Sequence, residues 1–301
     1  MFHDSNQPTF PIRSPHMTPT APKPILTPDQ VGQFHRDGFL ILRGFYDLST
    51  EIEPIQRAIH KIIGIVIQKN ALPIEHPPFR PETFDAGYQP LIAHNRKLGS
   101  EIYDAVKQIP AFVRLVVNER HDRLMMELRQ TDLPGVAAGG YGIRIDNPFE
   151  EKFRANWHQD YPSQLRSIDG LVFWSSLVNL TEELGPLQIA VGSHKDGLAP
   201  MLTRDPDHPE KTGAYALRLK DETARIARYP HTRGLVSVGD LIIVDYLNLH
   251  ASGFNHGTRS RWTMQMRYFN FRDPLGQSIN WVGSFAAGKS IRDVHPELIA
   301  D

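Results

Sequence analysis

Three residues carry the strongest chemical signal in this chain. His158 and Asp160 stand in Trp157-His158-Gln159-Asp160, and His250 closes the run Gly239-Asp240-Leu241-Ile242-Ile243-Val244-Asp245-Tyr246-Leu247-Asn248-Leu249-His250. In an extended strand alternate side chains share a face, so His158 and Asp160 are expected on one side and Gln159 on the other. An imidazole and a carboxylate so placed can grip one metal ion, although a lone His-x-Asp also recurs by chance. The second run adds weight: a Gly-Asp turn feeds an apolar strand that delivers a histidine near its end. Two histidines and one carboxylate make a facial triad, which leaves three positions open on ferrous iron and typifies non-heme oxygenases. A co-substrate and dioxygen need those positions. His256 is a rival ligand, but it falls in a Gly-containing turn, which favours His250.

Further polar residues lie at useful spacing. Arg261, eleven residues after His250, opens Arg261-Trp262-Thr263-Met264-Gln265-Met266-Arg267-Tyr268. Its alternation puts Arg261, Thr263, Gln265 and Arg267 on one face and Trp262, Met264, Met266 and Tyr268 on the other. The apolar face can pack against helices or an opposing sheet. On the polar face Arg261 can form a two-pronged pair with a carboxylate, while Arg267 reads equally well as a solvated residue. Arg144, in Tyr141-Gly142-Ile143-Arg144-Ile145-Asp146, either holds a polar or acidic substrate or faces outward. Trp174 stands in an apolar strand, where a core aromatic is at least as good a reading as a pocket wall. His121, His208, His231 and His295 have no partner at useful spacing and read as surface residues.

Taken in order, these motifs resemble the phytanoyl-CoA dioxygenase family of Fe(II)- and 2-oxoglutarate-dependent oxygenases. The resemblance rests on Trp157-His158-Gln159-Asp160, Gly185-Pro186-Leu187, Gly192-Ser193-His194-Lys195, Gly239-Asp240, His250-Ala251-Ser252-Gly253-Phe254-Asn255 and Arg261, with Gln33-Phe34-His35-Arg36-Asp37-Gly38-Phe39 at the front. It implies Fe(II) on His158, Asp160 and His250, with 2-oxoglutarate as co-substrate. Arg261 and Ser252 would hold the far carboxylate of 2-oxoglutarate, and Trp174 and Gln159 match positions that shape its pocket in some members. His194 would be structural. The implied activity is hydroxylation of an unactivated C–H bond of a small molecule by dioxygen, with release of succinate and carbon dioxide; desaturation, ring formation or demethylation share its first steps. Related halogenases replace the ligand carboxylate with a small residue, so Asp160 argues for hydroxylation. Val191 and Asn156 depart from the family's frequent prolines, which alters loops and leaves the ligands intact. The rival reading is a metal-binding cupin-like enzyme or sugar-binding protein that makes no use of 2-oxoglutarate.

The elements that must position these residues are partly legible. Thr27-Pro28-Asp29-Gln30 has the form of a capping box, opening a helix that ends near Gly38. Phe39–Leu42 reads as a strand, 51–68 as a helix with Ile52, Ile55, Ile59, Ile62 and Ile63 on one face, 73–96 as loop, and 98–130 as a helical pair interrupted at Pro110. From Gly139 the texture changes to short strands: Tyr141–Asp146, Ala155–Tyr161, Leu171–Leu180, Leu187–Val191, Leu235–Val238, Leu241–Tyr246, His250–Gly253 and Trp262–Phe271. Short strands after a helical front predict a mainly β fold with α: a double-stranded β-helix (jelly roll, cupin-like) barrel flanked by N-terminal helices. Residues 1–24, with six prolines, read as a flexible arm before a single domain over 25–301.

Composition narrows the function classes. The chain has 301 residues, 33 Lys and Arg against 34 Asp and Glu, and no cysteine. Disulfides, thiolate metal sites and cysteine nucleophiles are excluded, while 14 histidines remain for metal binding. Near-neutral charge gives no footprint for nucleic acid or an anionic membrane. No secretory leader or membrane-spanning run is visible, so a cytoplasmic location is expected. No phosphate-binding glycine loop or nucleophile elbow appears.

Overall fold

A computed structural model describes residues 23–283 and 288–301. The expected arm lies, over residues 1–22, outside the described residues.

The front of the chain is helical: α1 (Pro28–Asp37), α2 (Glu53–Lys69), α3 (Tyr88–His94), α4 (Arg96–Val106), α5 (Pro110–Val116) and α6 (Glu119–Arg129). α1 opens on the capping box, Thr27 and Gln30 each bonding to the other's backbone, and closes on Gly38 with φ 78°. α2 buries Ile55, Ile59 and Ile63, Ile52 is buried just before it, and Ile62 is half-buried. The segment expected to be loop contains α3, because Tyr88 and Leu91 are drawn under the sheet and fully buried there.

Among the described residues there are eleven strands, β1 between α1 and α2 and the rest after α6: β1 (Phe39–Leu42), β2 (Pro134–Val136), β3 (Gly142–Asp146), β4 (Gly170–Ser176), β5 (Leu187–Ala190), β6 (Met201–Leu202), β7 (Arg218–Leu219), β8 (His231–Gly234), β9 (Leu241–Asp245), β10 (His250–Ser252) and β11 (Arg261–Asn270). Six form one antiparallel sheet in the order β1-β9-β4-β11-β2, with β3 also pairing β11; β10-β5-β8 form a second, and β6-β7 a small hairpin. This is the expected jelly-roll class. The helices cover the outer face of the large sheet, where Trp262, Met264, Met266 and Tyr268 are buried as the alternation predicts. Trp262 meets the Tyr88 ring at 4.9 Å, and His121 of α6 stacks on Phe173 at 4.5 Å.

Two expected strands differ. Leu235–Val238 follows the strand rather than forming it, since β8 pairs one step earlier, Gly234 opposite Leu187. Ala155–Tyr161 is no strand: its only ladder contact is the single bridge between His158 and His250, and it turns at Asp160 into a short helix, Tyr161–Gln164. His121 is also not solvated. It is fully buried, and its Nε2 is 2.6 Å from the Tyr46 hydroxyl. His295 is drawn in as well, 3.2 Å from the Tyr161 hydroxyl.

Candidate metal centre

The backbone brings the three candidate ligands together from two segments. His158 N–H donates to His250 O and His250 N–H to His158 O, each at 3.0 Å, so the two histidines are locked side by side. Their rings lie 4.3 Å apart. Asp160 arrives by the following turn, its N–H donating to Tyr246 O at 2.9 Å. One donor atom from each of His158, Asp160 and His250 lies within 4.8 Å of the others.

The donors are prepared for a cation. His158 Nδ1 lies 2.7 Å from Asn156 O, and His250 Nδ1 lies 2.9 Å from Asn248 O. A proton on each Nδ1 leaves both Nε2 lone pairs free, the usual arrangement of metal-bound histidine. Burial, then the neighbouring His250, lowers the His158 pKa to about 4, which keeps that ring neutral near pH 7. Burial alone would raise the Asp160 carboxyl, but the Arg267 guanidinium and His250 hold it far below the usual carboxylate range.

Arg267, which the sequence left balanced between the polar face of the cavity and solvent, faces the cavity. Its Nε donates to Asp160 Oδ1 at 2.8 Å, and its Nη1 donates to Gly140 O at 3.0 Å. Asp160 Oδ2 is buried without a hydrogen bond, 3.3 Å from His250 Nε2. One carboxylate oxygen is thus occupied and the other bare. A buried, unpartnered carboxylate oxygen is costly, and a divalent cation bound also by two imidazoles answers that need. With Oδ1 held, Asp160 can give the metal one oxygen only, which preserves the open positions of a facial triad.

The site opens into a cavity of about 270 Å³ between the two sheets. Val172, Trp174, Val244, Gln265 and Arg267 line it from the large sheet, and Leu187, His250 and Ser252 from the small one. Trp174 and Ser252 are therefore cavity residues, as is Arg144, whose Nε pairs with Asp146 Oδ1 at 2.8 Å. Gln159 also borders the cavity, but its amide is consumed in bracing loops: Nε2 donates to Gly197 O and Leu247 O, and Oε1 accepts from Ala199 N.

Arg261 lies beyond the cavity wall, opposite Asp146 in the β3–β11 register. Its Nη2 is 2.9 Å from Asp146 Oδ2, and its Nη1 donates to Leu184 O and Gly253 O. Its Nε, and the hydroxyl of Thr263 two residues on, are buried without partners. Alternation sets both on the row that continues into Gln265 and Arg267. Neither residue is on the cavity wall itself. Of the other histidines, His256 is exposed and packs against Phe254.

A two-sheet jelly roll with two histidines and one aspartate converging on an internal cavity is the architecture of a mononuclear iron oxygenase. The chain matches the phytanoyl-CoA dioxygenase (PhyH) family over residues 34–263 and belongs to it; it is a non-heme iron, 2-oxoglutarate-dependent oxygenase. Comparison with curated proteins gives no match. Among solved structures, the fold is similar to EctD from S. alaskensis with bound Fe, at 17% identity and TM-score 0.53, covering 83% of this chain and 79% of that one. It is also similar to SnoK, a non-heme alpha ketoglutarate dependent carbocyclase from nogalamycin biosynthesis, at 15% identity and TM-score 0.52, covering 82% and 85%. Among the described residues no helix is long and apolar enough to cross a membrane.

Proposed function

We propose that this protein hydroxylates an unactivated C–H bond of a small polar metabolite, turning 2-oxoglutarate and dioxygen into succinate and carbon dioxide. The observation that carries this reading is the donor set itself: two free imidazole Nε2 atoms and one bare carboxylate oxygen beside a cavity, with the second oxygen held by Arg267. His158, Asp160 and His250 would hold the iron. Iron with 2-oxoglutarate supplies the oxidising power; the chain supplies position and a water-poor enclosure. The orphaned Arg261 Nε and the place of Ser252 on the cavity wall support these two as anchors for the distal carboxylate of 2-oxoglutarate. Trp174 would wall that pocket, and Gln159 would brace the loop beneath it. Asp160, an intact ligand carboxylate, favours hydroxylation over halogenation.

The test is spectroscopic. Anaerobic Fe(II) with 2-oxoglutarate is expected to give a weak visible charge-transfer band, absent in His158→Ala and in His250→Ala. A band that survives in both variants removes the ligand assignment. Substrate-stimulated succinate release across a metabolite panel then identifies the substrate.

A further inference from the structure

Five cations line the active-site cavity, Arg144, Arg154, Lys211, Arg218 and Arg267, against one lining carboxylate, Asp160. Three of the five are spoken for by nearby structure. Arg267 braces the metal ligand Asp160 at 2.8 Å. Arg144 shares Asp146 with Arg261. Arg154 pairs with Glu151 at 2.6 Å. Lys211 and Arg218 are different, because both lean on one fully buried carboxylate oxygen. Lys211 Nζ is 3.2 Å and Arg218 Nη1 3.4 Å from the same atom, Asp205 Oδ2. The other oxygen, Oδ1, already accepts the N–H groups of Asp207 and His208. The Asp205 side chain is 0% exposed and lies behind the wall, whereas both cations are on it. Arg218 also makes a longer ion pair with Glu222, Nη2 to Oε2 at 3.6 Å, so Lys211 is the cation of the pair whose only ion-pair partner among the described residues is Asp205.

We propose that the substrate carries an anionic group, a carboxylate or a phosphate, which docks against Lys211 and Arg218 at the β6–β7 hairpin. This rests on the reading of the cavity as the oxygenase active site. Interaction energy falls with distance and rises in a poorly hydrated enclosure, so the cations on the wall act on a ligand more strongly than the carboxylate behind them. The pair is also distinct from the co-substrate anchors. Arg261 and Ser252 lie on β11 and β10 of the two sheets, while Arg218 is on the hairpin and Lys211 on the loop between its strands. Tyr215, on the same loop, and Tyr103 of α4 line the cavity and are 45% and 39% exposed. Their rings offer a face to a flat or apolar body attached to the anion. A charge fixed at the hairpin orients the substrate by a group remote from the carbon that reacts, which is how binding energy is directed into positioning.

The probes are benzoate, phenyl phosphate and neutral benzamide, followed by the fluorescence of the cavity residues Trp157 and Trp174, with and without saturating Mn(II) and 2-oxoglutarate. At least one anion is expected to bind about ten-fold more tightly than benzamide, the worth of one charge-assisted contact; which anion wins separates a carboxylate from a phosphate substrate. Lys211→Gln is expected to weaken that binding about ten-fold. Lys211→Arg restores it. Asp205→Asn, which leaves both cations uncompensated, tightens it. Opposite shifts from Lys211→Gln and Asp205→Asn cannot come from a loss of folding. Equal binding of benzamide and both anions overturns the proposal, as do shifts in the same direction or displacement of the anion by 2-oxoglutarate. The Fe(II)–2-oxoglutarate band separates the two ideas: its absence in wild type sinks the function, and its presence with no anion preference sinks this inference alone.

Discussion

At the scale of single residues, the centre depends on a division of labour within one carboxylate. Asp160 gives Oδ1 to Arg267 and leaves Oδ2 bare, the oxygen that the proposed metal would take. Arg267→Ala removes the hydrogen bond and the compensating charge together, and lets Asp160 swing toward two-oxygen coordination. Fe(II) and Co(II) affinity are expected to fall about 10–100-fold, the usual cost of losing a partner that orients a metal ligand. Metal titration of the wild type, Arg267→Ala and Arg267→Lys checks this, and unchanged affinity in Arg267→Ala refutes the bracing role. That His158, Asp160 and His250 converge was legible in the sequence, because their types and order follow a strict pattern, and the structure brings their donor atoms within 4.8 Å of one another. The partner of Arg267 was not. Strand alternation assigns a side chain to a face but names no partner, and this partner is 107 residues away.

The elements fix where those residues can go. Gly38 ends α1 at φ 78°, and a methyl group there would strike Asn248 Nδ2 and His194 Nδ1. Asn248 O is the atom that orients His250. Gly38→Ala is expected to cost roughly 2 kcal/mol or more from left-handed strain and overpacking, with a further loss of metal affinity that calorimetry would detect. α6 makes a second, pH-dependent contribution. Burial lowers the His121 pKa to about 3. The unfolded chain therefore takes up a proton below about pH 6.5 that the native chain refuses, so stability falls with pH across that window by about 1.4 kcal/mol per unit for one group. His121→Gln is expected to flatten the slope by that amount in urea melts between about pH 4 and 6, and an unaltered slope refutes it. Elements with strong periodicity, such as β11 and α2, were readable from sequence. Ala155–Tyr161 was not, because its extended look comes from one bridge to His250 rather than a ladder. The β6–β7 hairpin has strands of two residues each, too short to show any period.

At the scale of the whole molecule, charge and position are decoupled. The chain carries a formal charge of −1, yet its active-site cavity is walled by five cations and one carboxylate. The near-neutral composition did not foreshadow this, because net charge averages over surfaces that pair internally. The same arrangement couples ligand binding to folding. His158 and Asp160 belong to a segment held by few ladder bonds, whereas His250 and Ser252 belong to β10 of the small sheet. A cation bound by all three ligands ties that segment to the sheet, and a bound 2-oxoglutarate reaching Arg261 would join the small sheet to the large one. A ligand that binds only the native state stabilises it by RT ln(1 + [L]/Kd), or about 2.7 kcal/mol at a hundred times Kd. For a domain of this size that raises Tm by roughly 5 °C. Mn(II) with 2-oxoglutarate is expected to produce such a shift under anaerobic conditions, and a chelator to reverse it. His158→Ala should show no metal-dependent shift, since one imidazole and one carboxylate hold a divalent ion weakly. In Arg261→Ala the metal shift should persist while the increment from 2-oxoglutarate shrinks, because only the co-substrate depends on that guanidinium. Equal co-substrate increments in wild type and Arg261→Ala would assign the distal carboxylate to one of the cations on the cavity wall instead.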